Sequence, residues 1–145
     1  MKKANAKLIA PCGLNCRLCR AYIRDKKACH GCRGDDRFKS KTCAECPIKN
    51  CEIMTAGALT YCCDCDEFPC PRMNRLEKRY TLNYGVSVFD NLMQIQKKGV
   101  RAFVNDENLK WICLNCGEML SMHKRNCISC GYVWRGQSQA EKTKA

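Results

Sequence analysis

The chain has 145 residues, a length that suits one domain or two small ones, and 16 of these residues are cysteine. Leu, Ile, Val and Phe together number only 26, which excludes an ordinary apolar core across residues 1–70, so bound metal is expected to replace it. The formal net charge is +12, and it falls to about +4 if about four zinc ions bind every cysteine as a thiolate. A basic chain of this kind favours nucleic acid or an acidic protein as its partner.

The N-terminal residues lack the pattern of a signal peptide. Met1-Lys2-Lys3 is basic, but the residues that follow include Asn5 and Lys7 and are too few for an apolar segment. No apolar run approaches the roughly 18 residues that a membrane-spanning helix needs. We therefore expect a cytoplasmic protein with no membrane association, in which reducing conditions favour metal-bound cysteines over disulfides.

An irregular, cysteine-rich module that binds several zinc ions is predicted over residues 8–70. Its ligand candidates are four Cys-x-x-Cys pairs and three single cysteines: Cys16/Cys19, Cys29/Cys32, Cys43/Cys46, Cys62/Cys65, Cys12, Cys51 and Cys70. Their spacing leaves open which cysteines share an ion. Cys63 is extra, and His30 could complete a site of three thiolates and one imidazole.

Helical spacing is found in two stretches. Leu14, Leu18 and Tyr22 lie four residues apart and predict a short helix over residues 14–24. Residues 71–110 contain no cysteine and predict a connector of three helices, with boundaries marked by Pro71 at a first turn, Gly85 and Gly99 at helix ends, and Ser87 at an N-cap.

The C-terminal cysteines have the spacing of a zinc ribbon, predicted over residues 111–135 and followed by a polar, disordered tail over 136–145. Two Cys-x-x-Cys pairs stand ten residues apart, and a short hairpin would bring them around one ion: Cys113, Cys116, Cys127 and Cys130. Gly117 and Gly131 follow the pairs, where such turns need a positive φ. The predicted fold class is therefore a small, metal-stabilised α+β protein.

Two other uses of the cysteines were weighed. Cys12, Cys16 and Cys19 have the spacing of a radical S-adenosylmethionine cluster, but that chemistry needs a barrel of about 200 residues, and no strand–helix alternation follows. An iron–sulfur cluster in the N-terminal module, used for electron transfer, remains the alternative to zinc. No catalytic residue is predicted, because the sequence contains no nucleophile–base pair, phosphate loop or paired carboxylates.

The order of the N-terminal cysteines resembles domain of unknown function 3795, a prokaryotic family expected to bind zinc. The resemblance rests on four motifs within residues 8–105: Pro11-Cys-Gly-Leu-Asn-Cys-Arg-Leu-Cys19-Arg-Ala-Tyr22, Cys29-His-Gly-Cys-Arg-Gly34, Cys43-Ala-Glu-Cys-Pro-Ile-Lys-Asn-Cys51 and Tyr61-Cys-Cys-Asp-Cys-Asp-Glu-Phe-Pro-Cys70. It implies metal ligation at the cysteines already named and no particular activity. The ribbon resembles an extension that some members of the family carry.

The sequence thus predicts a zinc-binding protein with structural metals that acts as a binding module for nucleic acid or a protein partner. Five basic residues are candidate phosphate contacts, three in the predicted first helix and two in the ribbon loop: Arg17, Arg20, Arg24, Lys124 and Arg125. The oligomeric state is left open.

Overall fold

A computed structural model describes residues 3–57 and 59–134 of the chain, and within these ranges the regular structure is almost wholly helical. The α-helices are α1 (Arg20–Ile23), α2 (Lys41–Ala44), α3 (Glu52–Thr55), α4 (Pro71–Tyr84), α5 (Val88–Lys98) and α6 (Val100–Lys110). Short 3-10 helices span Ala6–Leu8, Cys16–Leu18 and Cys62–Asp64. The N-terminal region is therefore a series of short turns, whereas α4 to α6 are full helices.

The three longer helices begin and end where the sequence predicts. Pro71 opens α4, and Gly85 ends it with a φ of 68°. The Ser87 hydroxyl accepts a hydrogen bond from the Asp90 backbone N–H at 3.0 Å and so caps α5. Gly99 ends α5 and precedes α6, which is as long as α5 at 11 residues. Local sequence alone therefore determines this part of the fold.

The predicted single helix over residues 14–24 is wrong. The chain instead forms the 3-10 helix Cys16–Leu18 and then α1, and Cys19 between them is extended, with φ −79° and ψ 132°. The Asn15 side chain accepts a hydrogen bond from the Arg17 backbone N–H and so caps the 3-10 helix that begins at Cys16. Leu14 therefore lies before this helix and not in it. The break at Cys19 therefore separates Cys16, in the 3-10 helix, from α1.

The strands of the α+β prediction are reduced to isolated bridges. The described residues contain three of them, all antiparallel: Ile9 with Asn15, Ile112 with Met119, and Asn126 with Val133. In the C-terminal region each bridge closes one tight Cys-x-x-Cys turn, and few residues remain between the two turns to extend the pairing. The fold is small, cysteine-rich and mostly helical.

Two clusters of buried side chains hold the elements together. The first joins the N-terminal loops to α4, α5 and α6, and its fully buried members include Ile9, Val88 and Leu92. Gly13 has a φ of +93°, and a Cβ there would lie 3.0 Å from Leu92 Cγ, so this loop lies directly against α5. Within the described residues, no helix is long and apolar enough to cross a membrane.

The second cluster joins the C-terminal region to the start of the chain. Leu18 packs there with Trp111, Met122 and neighbouring side chains. The Leu18 carbonyl accepts hydrogen bonds from the Ser121 hydroxyl at 2.8 Å and from the Met122 backbone N–H at 3.0 Å. The boundaries at residues 8–70, 71–110 and 111–135 stay predictions, and the predicted tail over 136–145 lies outside the described residues.

Candidate metal centre

Four cysteines near the C-terminus come together in the arrangement that a tetrahedral ion requires. We call them the C-terminal set: Cys113, Cys116, Cys127 and Cys130. Their Sγ atoms all lie within 4.8 Å of one another, with 3.7 Å from Cys113 to Cys130 and 3.6 Å from Cys116 to Cys127. A tetrahedral zinc ion with bonds of about 2.3 Å spaces its sulfurs about 3.8 Å apart. The set could therefore hold a metal ion with little movement.

Each half of the C-terminal set is one tight turn, and the two turns are built alike. The Gly117 N–H donates to the Cys113 carbonyl at 2.9 Å, and the Gly131 N–H donates to the Cys127 carbonyl at 2.8 Å. The glycines have φ values of 81° and 82°, and nothing lies within 4 Å of a Cβ added at either one. Glycine is needed here for its left-handed backbone and not for lack of space.

Hydrogen bonds favour ionisation at one cysteine of this set. The pKa of Cys130 is lowered to about 6, first by a hydrogen bond from the Asn115 side-chain amide and then by the Tyr132 backbone N–H. The pKa of Cys116 is raised: a backbone hydrogen bond from Glu118 lowers it, but desolvation and the neighbouring thiols together outweigh that bond. The lowered pKa favours binding of a cation by Cys130 as a thiolate, and a bound cation would oppose the raised pKa of Cys116.

All sixteen cysteines lie in the described residues, and none of them is paired in a disulfide. Among those residues, the C-terminal set is the only group of three or more His, Cys, Asp or Glu side chains whose ligand atoms lie within 4.8 Å of one another. The N-terminal cysteines are distributed over three looser neighbourhoods.

Cys12, Cys16 and Cys32 form the first neighbourhood, with Cys46 beside Cys32. The Cys32 backbone N–H donates to Cys16 Sγ at 3.2 Å. Burial is the largest cause that raises the pKa of Cys16 to about 12, and burial likewise raises the pKa of Cys12 well above its usual value. The thiol of Cys46 adds to the rise in the pKa of Cys32, after the effect of burial.

Cys19, Cys29 and Cys43 form the second neighbourhood. Burial raises the pKa of Cys19, backbone hydrogen bonds offset part of this rise, and the thiols of Cys43 and Cys29 add to it. His30, suggested as a fourth ligand, has its Nδ1 atom 2.8 Å from Asp35 Oδ1. The side chain of His30 is thus held by a carboxylate at one of its two ring nitrogens.

The third neighbourhood, which we call the cavity set, lines a cavity of about 880 Å³ between the α3 region and the start of α4: Cys51, Cys62, Cys65 and Cys70. Cys63 is not among the residues that line the cavity, although it lies next to Cys62 in the chain. Sequence spacing pairs Cys62 with Cys65, followed by Cys70, but it did not indicate that Cys51 joins them, because Cys51 lies on the other side of α3.

The candidate phosphate contacts differ in exposure. The prediction that Arg17 contacts phosphate at the surface is wrong, because its side chain is buried and only 1% exposed. The guanidinium of Arg24 donates to the backbone carbonyls of Lys27 and Phe38, at 3.0 and 2.8 Å. The side chains of Arg20, Lys124 and Arg125 are exposed.

Comparison with known proteins bears on the N-terminal region. Residues 8–75 match the family described as "Protein of unknown function (DUF3795)". The match includes all twelve N-terminal cysteines and ends well before the C-terminal set, so it confirms the predicted resemblance for the module and not as far as residue 105. The description of DUF3795 names no metal and no activity. No curated protein matches the chain, and no solved structure matches it.

Proposed function

We propose that the chain is a zinc protein whose metals are structural, and that the C-terminal set holds one of its ions. The observation that carries this proposal is the approach of four Sγ atoms to within 4.8 Å of one another. Zinc suits four thiolates in a closed tetrahedral site, which is the arrangement of structural zinc. The two turns that carry the sulfurs form the zinc-ribbon hairpin in this proposal.

Zinc content is the direct test of this centre. Cys116 and Cys130 are the exposed members of the set, so changing both to serine removes two ligands with little loss of packing. The double variant should contain one zinc ion fewer per chain than the unchanged protein, measured by elemental analysis. Ser129→Ala, within the same turn, is the matched control and should retain every ion. An unchanged zinc count in the double variant would contradict the proposal, and so would iron with sulfide at this set.

We further propose that the folded protein is a module that binds an anionic partner, with nucleic acid as the first candidate. Support comes from the loop between the two C-terminal cysteine pairs, where Lys124 and Arg125 are exposed. The Arg20 backbone N–H donates to His123 Nδ1 at 3.2 Å, which brings a third exposed basic residue next to this loop. Phosphate groups are attracted by such a cluster at low salt.

Binding should therefore depend on salt and on this loop. The variant Lys124→Glu with Arg125→Glu should lose most of its affinity for a nucleic-acid duplex or single strand at low salt. Lys97→Glu with Arg101→Glu changes the net charge equally at two exposed positions on α5 and α6, and it should lose much less. Equal losses in the two variants would show that net charge alone attracts the nucleic acid. If the protein binds an acidic protein and no nucleic acid, the acidic protein replaces nucleic acid as the proposed partner.

A further inference from the structure

We propose that the cavity set of Cys51, Cys62, Cys65 and Cys70 forms a second zinc site, separate from the C-terminal set. The inference rests on the proposed function, because it takes zinc as the metal. The geometry that carries it is the cavity of about 880 Å³, which all four cysteines line. Cys51 precedes α3, Cys62 and Cys65 lie in and beside a 3-10 helix, and Cys70 precedes α4.

The four residues are also electrostatic neighbours. The thiols of Cys70, Cys51 and Cys65 all lie close enough to Cys62 to act on it electrostatically, and so does the thiol of Cys63, the next residue in the chain. A divalent cation binds such sulfurs as thiolates and displaces their protons.

A backbone group already supports one of the four thiols. Cys65 Sγ accepts a hydrogen bond from the Glu67 backbone N–H at 3.4 Å, the same contact that Cys113 Sγ receives from the Asn115 backbone N–H at 3.4 Å. The turn at Cys65 therefore repeats a feature of the C-terminal set. Cys70 is the N-cap residue of the 14-residue α4, and its side chain makes no capping hydrogen bond with that helix.

Charged side chains of both signs surround the cavity. Zinc with four thiolates carries a formal charge of about −2. Arg72 and Arg75 line the cavity and could offset this charge, and the Arg72 guanidinium donates to the Pro47 carbonyl at 3.2 Å. Glu52 and Glu67 also line the cavity, so the four side chains together carry no net charge.

Binding at this site requires movement that the C-terminal set does not need. The cavity set lies outside the 4.8 Å limit that the C-terminal set meets within the described residues. An ion that bonds to four sulfurs would draw Cys51 and the Cys62–Cys65 turn toward Cys70. Zinc should therefore close the cavity and slow backbone hydrogen exchange over residues 51–70.

Zinc counts in three variants of the full chain test the proposal. Cys65→Ser with Cys70→Ser should contain one ion fewer than the unchanged protein. Cys63→Ser is the matched control, because it removes a cysteine from the same loop but not from the cavity, and it should lose none. An unchanged count in the double variant, or an equal loss in the control, would overturn the second site. The Cys116 and Cys130 double variant separately reports the C-terminal centre, so either site can fail while the other stands.

A conservative variant covers the case in which the double variant fails to fold and loses several ions. Cys70→His keeps four ligands and should keep the zinc count. After zinc is replaced by cadmium, one cadmium NMR resonance should move to the range of three sulfurs and one nitrogen, while the resonance of the C-terminal set stays in place. If every cadmium resonance stays unchanged, Cys70 is not a ligand and the assignment is overturned.

Discussion

The C-terminal and N-terminal cysteines reach their positions by different routes. The C-terminal set spans 18 residues and consists of two matching turns, so each pair is positioned by its own backbone hydrogen bonds. The cavity set draws on two segments, before and after α3, over 20 residues, and its geometry depends on how those segments pack on the helices. Local turns can present metal ligands without help from the rest of the fold, whereas ligands on separate loops need metal to complete their own site.

Metal removal should have the largest effect, and it should affect the two cysteine-rich regions more than the helices between them. Structural zinc contributes about 10–16 kcal/mol of apparent binding free energy, as much as the whole stability of many domains. A chelator should therefore lower the melting temperature strongly and remove hydrogen-exchange protection from residues 12–70 and 113–130, with less loss in α4 to α6. A treated sample that melts like the untreated one would remove the basis of the comparison.

Leu92→Ala should destabilise the N-terminal side without disturbing the C-terminal metal. Leu92 is fully buried against Gly13, and loss of such a side chain costs about 2–5 kcal/mol. Urea unfolding should show this loss. The zinc ion of the C-terminal set, which the Cys116 and Cys130 double variant loses, should still be bound in Leu92→Ala. Leu109→Ala is the control, because Leu109 is 75% exposed and should cost little. Loss of the C-terminal ion in Leu92→Ala would show that the two regions do not fold separately.

The metal-free protein should become less stable as the pH rises. Burial raises the pKa values of Cys16 and Cys62 from 9.0 to about 12, so the folded state keeps protons that the unfolded state releases. The unfolded state then binds fewer protons between these pKa values, and stability falls as the pH rises through that window. Zinc binding has the opposite dependence, because it displaces these protons and strengthens at higher pH. Thermal melts at pH 8 and above, with and without zinc, should therefore diverge.

Ser87→Ala should have the smallest effect, about 1 kcal/mol, because it removes the N-cap of α5. The Ser87 hydroxyl also donates to the Glu77 carboxylate at 2.8 Å, so the loss reaches α4 as well. Thr81→Ala is the control, since its exposed hydroxyl bonds only to backbone carbonyls of α4. Urea unfolding should separate the two variants, and neither should change the zinc count. A fall in zinc content would mean that the helices help to form the metal sites.

Helix boundaries were predictable because they depend on neighbouring residues. Pro71, Gly85, Ser87 and Gly99 each have a local reason to begin or end a helix, and each does so in the structure. The two matching turns of the C-terminal set were predictable for the same reason. The spacing of the C-terminal pairs did not predict how long the strands between them would be. In the structure, strand pairing there is limited to single bridges.

The remaining features depend on contacts between distant residues. Arg17 resembles any exposed basic residue in the sequence, but it is buried in a fold whose C-terminal region packs on the neighbouring Leu18. The grouping of Cys51 with Cys70 depends on a cavity that no short motif encodes. The predicted helix does not begin at Leu14, because Asn15 is extended and its side chain caps the turn that starts at Cys16, which then ends at Cys19.

The hydroxyl of Ser121 has a practical consequence for shortening the chain. It lies fully buried and, together with the Met122 backbone N–H, satisfies the carbonyl of Leu18 more than a hundred positions earlier. In a truncated protein that stops at residue 110, the Leu18 carbonyl oxygen would lose both hydrogen-bond donors. The Leu18 side chain would also become exposed to solvent as an apolar patch. The C-terminal region thus covers the first loop, and a fragment without it would be prone to self-association even with every N-terminal cysteine intact.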